Sequence, residues 1–134
     1  MSERRRNGGV VRTIQVTVET GGDTEEELRS LLRWLTADED IGPHAHGVLS
    51  ASQPPGSEHM GSLLDIISLS VSTGLGAGQL VAGIAQWRSA RPASPRVSVH
   101  RGTLRVDIHD ADPETVRRLT DLLAQPQDDD AGAA

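Results

Sequence analysis

The sequence predicts an α+β fold: an open-faced sandwich of about four strands in a mixed sheet, with helices on one face. Three observations carry this. Short segments alternate apolar and polar residues, as strands with one buried face do. Other segments repeat leucines at helical spacing. Between them, Ile66–Trp87 holds no charged residue and is the longest such run in the chain. The predicted order is β-α-β-α-α-β-β-α.

The first strand lies in Val10–Glu19, where Ile14, Val16 and Val18 share one side and Thr13, Gln15, Thr17 and Glu19 the other. Gly21-Gly22-Asp23 makes a turn. Thr24-Glu25-Glu26-Glu27 has the capping-box spacing and opens a helix. Leu28, Leu31, Leu32 and Leu35 form its apolar stripe, and its early glutamates suit the positive end of the dipole. The polar segment with Gly42-Pro43 is a loop. Gly47–Ser52 is a short second strand, and Gln53–His59, with Pro54-Pro55-Gly56, is a loop.

Ser62-Leu63-Leu64-Asp65 repeats the capping signature, and Leu63, Leu64, Ile67 and Val71 then define a second helix ending at Gly74. A third restarts near Gln79, buries Leu80, Val81, Ile84 and Trp87, and stops before Pro92. The uncharged stretch is therefore a glycine-hinged helical hairpin. Each half is too short to cross about 30 Å of hydrocarbon, so a soluble reading is preferred to membrane insertion of segment 62–89.

Arg96–His100 and Leu104–His109 form a hairpin about Arg101-Gly102. A two-residue turn pairs Val99 with Leu104 and Val97 with Val106, and sets Arg96 opposite Asp107. Asp112-Pro113 opens the last helix, with Val116, Leu119, Leu122 and Leu123 inward. Residues 1–9 read as a disordered tail, 10–124 as one domain, and 125–134, with Asp128-Asp129-Asp130, as a disordered acidic tail.

Composition narrows the function. The net charge is −6 and all 13 basic residues are arginine. The only basic run is Arg4-Arg5-Arg6, so nucleic acid is not an expected partner. Without cysteine there is no disulfide scaffold, thiolate metal site or cysteine nucleophile. The polar N-terminus lacks the apolar core of a secretory signal, which makes the cytoplasm the expected location.

No catalytic, metal or cofactor constellation stands out. His44-Ala45-His46 lacks a third ligand, and Glu58-His59 lacks a nucleophile elbow. Gly74-x-Gly76-x-Gly78 has no lysine and the wrong spacing for phosphate, so it reads as a turn. His100 and His109 share the polar strand face with Arg96, Arg105 and Asp107: either a binding surface or an ordinary wetted sheet. Trp34, beside Arg33, and Trp87, beside Arg88, read as core-edge residues, with partner contact as the sharper alternative, since a half-buried tryptophan is a common interface anchor. The candidate partner-binding residues are therefore Arg33, Trp34, Trp87, Arg96, Arg105 and Asp107.

Three stretches together resemble the effector-associated constant component family (first type), mainly of actinobacterial chains. They are the first strand with Gly22-Asp23 and Leu28–Leu35; Met60-Gly61 before an apolar segment and glycine-rich break; and a helix ending in Trp87, followed by Arg91-Pro92 and a hairpin with Gly102. Where the family leads one to expect arginine before Gly47, this chain has His46. The resemblance implies a non-enzymatic adaptor or scaffold encoded beside protease- or NTPase-type effectors in conflict or signalling systems. It brings no catalytic residues and no cofactors. The expected partner is a protein effector encoded nearby, with a homo-oligomer as a further possibility. A membrane-inserting component and a small unrecognised enzyme are the alternatives.

Overall fold

Strict alternation builds the sheet. The computed structural model describes residues 11–51, 64–72, 74–92 and 94–124. Strand β1 (Val11–Glu19) turns Ile14, Val16 and Val18 into the core and is the middle strand. The others are β2 (Ala45–Ser50), β3 (Ile66–Ser72), β4 (Arg96–Arg101) and β5 (Leu104–Ile108), in the order β2-β3-β1-β4-β5. All four pairings are antiparallel. The fold is the expected α+β open-faced sandwich, with a five-stranded antiparallel sheet in place of a mixed one of about four strands.

The correction lies in the central stretch. Ile66–Ser72 is a strand, not the first half of a helical hairpin, so the described order is β-α-β-β-α-β-β-α. Ile67, Leu69 and Val71 are buried, whereas Ser68, Ser70 and Ser72 lie on the other face. Positions 67 and 71 suit either period, but a buried Leu69 between them fits only period two. With β3 paired on both sides, residues 66–72 of the 62–89 segment weighed for membrane insertion lie inside the sheet, and residues 77–89 of it are helical. No helix among the described residues is long and apolar enough to cross a membrane. The capping signature at Ser62, the proline-rich loop with Glu58-His59, and both tails fall outside the described residues.

Three helices cover the apolar face: α1 (Thr24–Ala37), α2 (Ala77–Ala90) and α3 (Pro113–Ala124). Helix α1 is capped by Asp23, one residue before the expected start; its carboxylate accepts from the Glu26 N–H at 3.2 Å. Helix α2 starts at Ala77, where the Gln79 side chain accepts from the Gly76 N–H at 3.2 Å. Helix α3 ends on Arg101, whose Nη1 donates to the Leu122 and Leu123 carbonyls at 3.0 and 3.1 Å. A cation there suits the negative end of the helix.

The core is almost entirely aliphatic. Leu28, Leu31, Leu35, Leu69, Leu80, Ile84 and Leu119 are wholly buried, each contributing roughly 1.5–3 kcal/mol. Small residues let the layers close. A Cβ on Gly47 would lie 2.7 Å from Leu32 Cδ1, and one on Gly83 would lie 2.6 Å from Ile41 Cδ1. A Cβ on Gly42 would strike the Thr36 carbonyl oxygen, which belongs to the backbone and has no rotamer to escape into.

The β4–β5 hairpin keeps its two-residue turn but shifts by one position. Arg101 pairs with Leu104, Val99 with Val106 and Val97 with Ile108. Gly102, with φ 62°, is then the first turn residue, where a type II′ hairpin places glycine. Asp107 consequently faces Ser98, and Arg96 pairs across β1 with Glu19.

Gly42→Ala and Gly47→Ala are expected to destabilise the fold by about 1–3 kcal/mol, with Gly42→Ala the more severe. Urea midpoints would check this. Equal midpoints for both variants would show that the Thr36 backbone yields as readily as a leucine methyl.

Candidate interaction surface

The two tryptophans join α1 to α2. Trp34 Nε1, from α1, donates to the Gly83 carbonyl of α2 at 3.0 Å. Trp87 Nε1, from α2, donates to Ser30 Oγ of α1 at 3.0 Å. Beyond the end of α2, Arg91 forks onto Glu27 at 3.0 and 2.8 Å and donates to Ser30 Oγ at 3.2 Å. Its guanidinium lies 5.6 Å from the Trp87 ring centroid. The Glu27 hydrogen bond, with charge attraction from Glu27 and Glu26, raises the Arg91 pKa against a smaller opposing effect of desolvation.

The residues expected at a partner surface therefore separate into three places. Trp87 is only 1% exposed: a core residue rather than an edge anchor. Its place in the stripe with Leu80, Val81 and Ile84 already signalled that. Trp34 keeps 39% of its surface exposed, its indole N–H anchored and part of its ring open to solvent. Arg33 lies beside it on the flank of α1 that overhangs β2.

Arg96, Arg105 and Asp107 sit on the uncovered sheet face. Asp107 accepts from Ser98 Oγ at 2.6 Å and from Arg105 Nε at 2.9 Å. Those contacts, the serine hydrogen bond first, hold its carboxyl below the ordinary range against a smaller desolvation effect. His100 shares a 3.1 Å hydrogen bond with Thr17 Oγ1. Burial, and then the charge of Arg105, push its pKa down, while Asp107 opposes. Arg96 and Glu19 approach at 3.7 Å with both side chains well exposed, a contact worth about 0–1 kcal/mol.

Of the loop histidines, His44 shares a 3.0 Å hydrogen bond with Ser72 Oγ, and its ring fills the space beside Gly74. His46 is not in the loop: β2 runs Ala45–Ser50 instead of the expected Gly47–Ser52, and His46 is exposed on its open face. Among the described residues no group of three or more His, Cys, Asp or Glu could hold a metal ion.

Sequence reasoning missed one feature. Between α1 and β2 runs an open groove of about 310 Å³, lined by Arg29, Leu32, Arg33, Thr36, Gly47 and Leu49. Gly47 lowers its floor by letting α1 approach the strand. The groove depends on β2 being an edge strand, and strand order is not written locally in the chain.

Residues 20–124 match the family model described as Effector Associated Constant Component 1. The chain belongs to that family. The match confirms the resemblance carried by the first helix, the helix ending in Trp87 and the final hairpin. No significant match is found among curated proteins or among solved structures.

Because the folded state holds the His100 pKa down, stability is full above the unfolded value of about 6.5 and falls as pH drops through it towards the folded value. His100→Gln should therefore flatten the denaturation midpoint between pH 7.5 and 5.5. A variant profile as steep as the wild type would place the proton uptake elsewhere.

Proposed function

We propose that the chain is a non-enzymatic adaptor that docks a partner effector, of protease or NTPase type, in a bacterial conflict or signalling system. The observation that carries this reading is the family match over residues 20–124, in a family described by its association with effectors. The surface chemistry supports it. Trp34 is half-exposed yet held by a hydrogen bond, as an anchor side chain should be if ordering it is to cost little on binding. On the open sheet face, Asp107 and His100 are engaged by Ser98, Arg105 and Thr17. The proposed setting is the cytoplasm.

The test is to mix the purified chain with the product of the adjacent effector gene and measure mass by light scattering. A discrete complex that Trp34→Ala weakens about tenfold is expected; a tenfold change corresponds to about 1.4 kcal/mol, within the range of an interface anchor. Two species that keep their separate masses at micromolar concentration would defeat the adaptor reading.

A further inference from the structure

The two edges of the sheet differ in a way that bears on binding. β5 carries Arg105 and Asp107, which pair with each other at 2.9 Å. Charged side chains on an edge discourage a further strand. β2, Ala45-His46-Gly47-Val48-Leu49-Ser50, holds no aspartate, glutamate, lysine, arginine or proline, and Val48 is 63% exposed. β3 pairs with one side of β2, and none of the other described strands pairs with its outer side. Alternate residues along an edge turn their N–H and C=O groups outward, ready for a strand.

The α1–β2 groove runs along this edge. Its floor is apolar: Leu32, Leu49 and the bare Gly47 backbone. Its wall is basic: Arg29 and Arg33. Arg29 is bound to Glu25 at 2.5 Å. Arg33 makes no ion pair with any described residue.

We propose that this edge and groove form the docking surface for the partner, and that the occupant is an extended acidic segment added as a further strand beside β2. This deepens the adaptor reading and rests on it. Strand addition obtains affinity from main-chain hydrogen bonds and specificity from alternate side chains. Here one set of alternate side chains enters the groove, where an apolar residue meets Leu32 and Leu49 and acidic residues meet Arg33 and Arg29. The other set continues the polar sheet face beside His46 and Val48. Charge decides the occupant. The chain carries −6 overall, yet this groove is basic. A second copy paired through β2 about a two-fold axis would set a second pair of arginines against the first. The chain's own Asp128-Asp129-Asp130 has the right charge, but aspartate, glycine and alanine are poor strand formers, and 125–134 offers little else.

The test uses the full chain and a labelled peptide, acetyl-Thr-Glu-Thr-Val-Thr-Glu-Thr-amide, with a control carrying arginine for both glutamates. Fluorescence anisotropy should show binding of the acidic peptide that weakens with added salt, with at least tenfold weaker binding of the control. Arg33→Glu should weaken the acidic peptide at least tenfold. Amide shift changes should concentrate in residues 29–36 and 45–50. Leu49→Pro, which removes an N–H that faces away from β3, should abolish binding while the remaining amide spectrum keeps its dispersion. Equal affinity for wild type and Arg33→Glu, or shifts confined to other strands, would overturn the proposal. So would a wild-type dimer that Leu49→Pro dissociates. A several-fold gain in peptide affinity on changing Asp128, Asp129 and Asp130 to Asn would also overturn it, by making the chain's own tail the occupant. The adjacent effector separates the two readings. If it binds wild type and Arg33→Glu alike, the docking surface fails and the adaptor stands. If it does not bind while the peptide does, the surface stands and the adaptor reading fails.

Discussion

The structure depends on burying one face of one antiparallel sheet with side chains that contain almost no rings. There is no Phe or Tyr, and Trp87 is the one aromatic side chain wholly buried among the described residues. Branched aliphatics fill less volume per residue than aromatics, so the layers must approach closely to reach native packing density. Glycine at 47 and 83 permits that approach where α1 meets β2 and where α2 meets the Ile41 loop. The alternation of β1 and β3 supplies the other half of the constraint. A one-residue slip in either would turn Ile14, Leu69 and their neighbours to solvent and bring the serines inside.

Packing of this kind is weakly directional, and the polar contacts at the helix pair supply the direction. Trp34 reaches from α1 to α2 and Trp87 from α2 to α1, so each indole satisfies its N–H across the same junction. Arg91 closes the end, held by both carboxylate oxygens of Glu27 and lying against the Trp87 ring. A bidentate arginine fixes an angle as well as a distance. The consequence reaches the surface: with α1 fixed against α2, the flank of α1 bearing Arg29 and Arg33 is fixed relative to β2.

Much of this was legible in the sequence. The alternation at Ile14–Val18 and the leucine stripe of α1 have one period each, and both elements formed as read. Ile66–Ser72 did not, because Ile67 and Val71 stand four apart and satisfy a helix as well as a strand. Leu69, between serines, carried the deciding information. The hairpin shifted by one residue for a different reason: the positive φ belongs to Gly102, so Gly102 had to enter the turn ahead of Thr103. The groove was not legible at all. It joins residues 29–36 to residues 47–49 through a strand order that only long-range pairing determines.

An uncharged edge strand is a standing liability, because its outward N–H and C=O groups will pair with any strand that reaches them. In β5 the answer is local: charges on the strand itself. In β2 the charges have moved off the strand onto the overhanging helix, where they cannot block the edge but can select what approaches it. Two arginines above an open edge repel another copy of the same groove and attract a strand bearing carboxylates. Specificity obtained this way combines attraction for one class of segment with repulsion of the commonest wrong partner, the chain itself. The arrangement needs no side chain on β2 at Gly47, since a Cβ there would collide with Leu32, Leu69 and Ile67. The residue that allows α1 to close on the sheet is therefore also the one that leaves the floor of the groove as bare backbone.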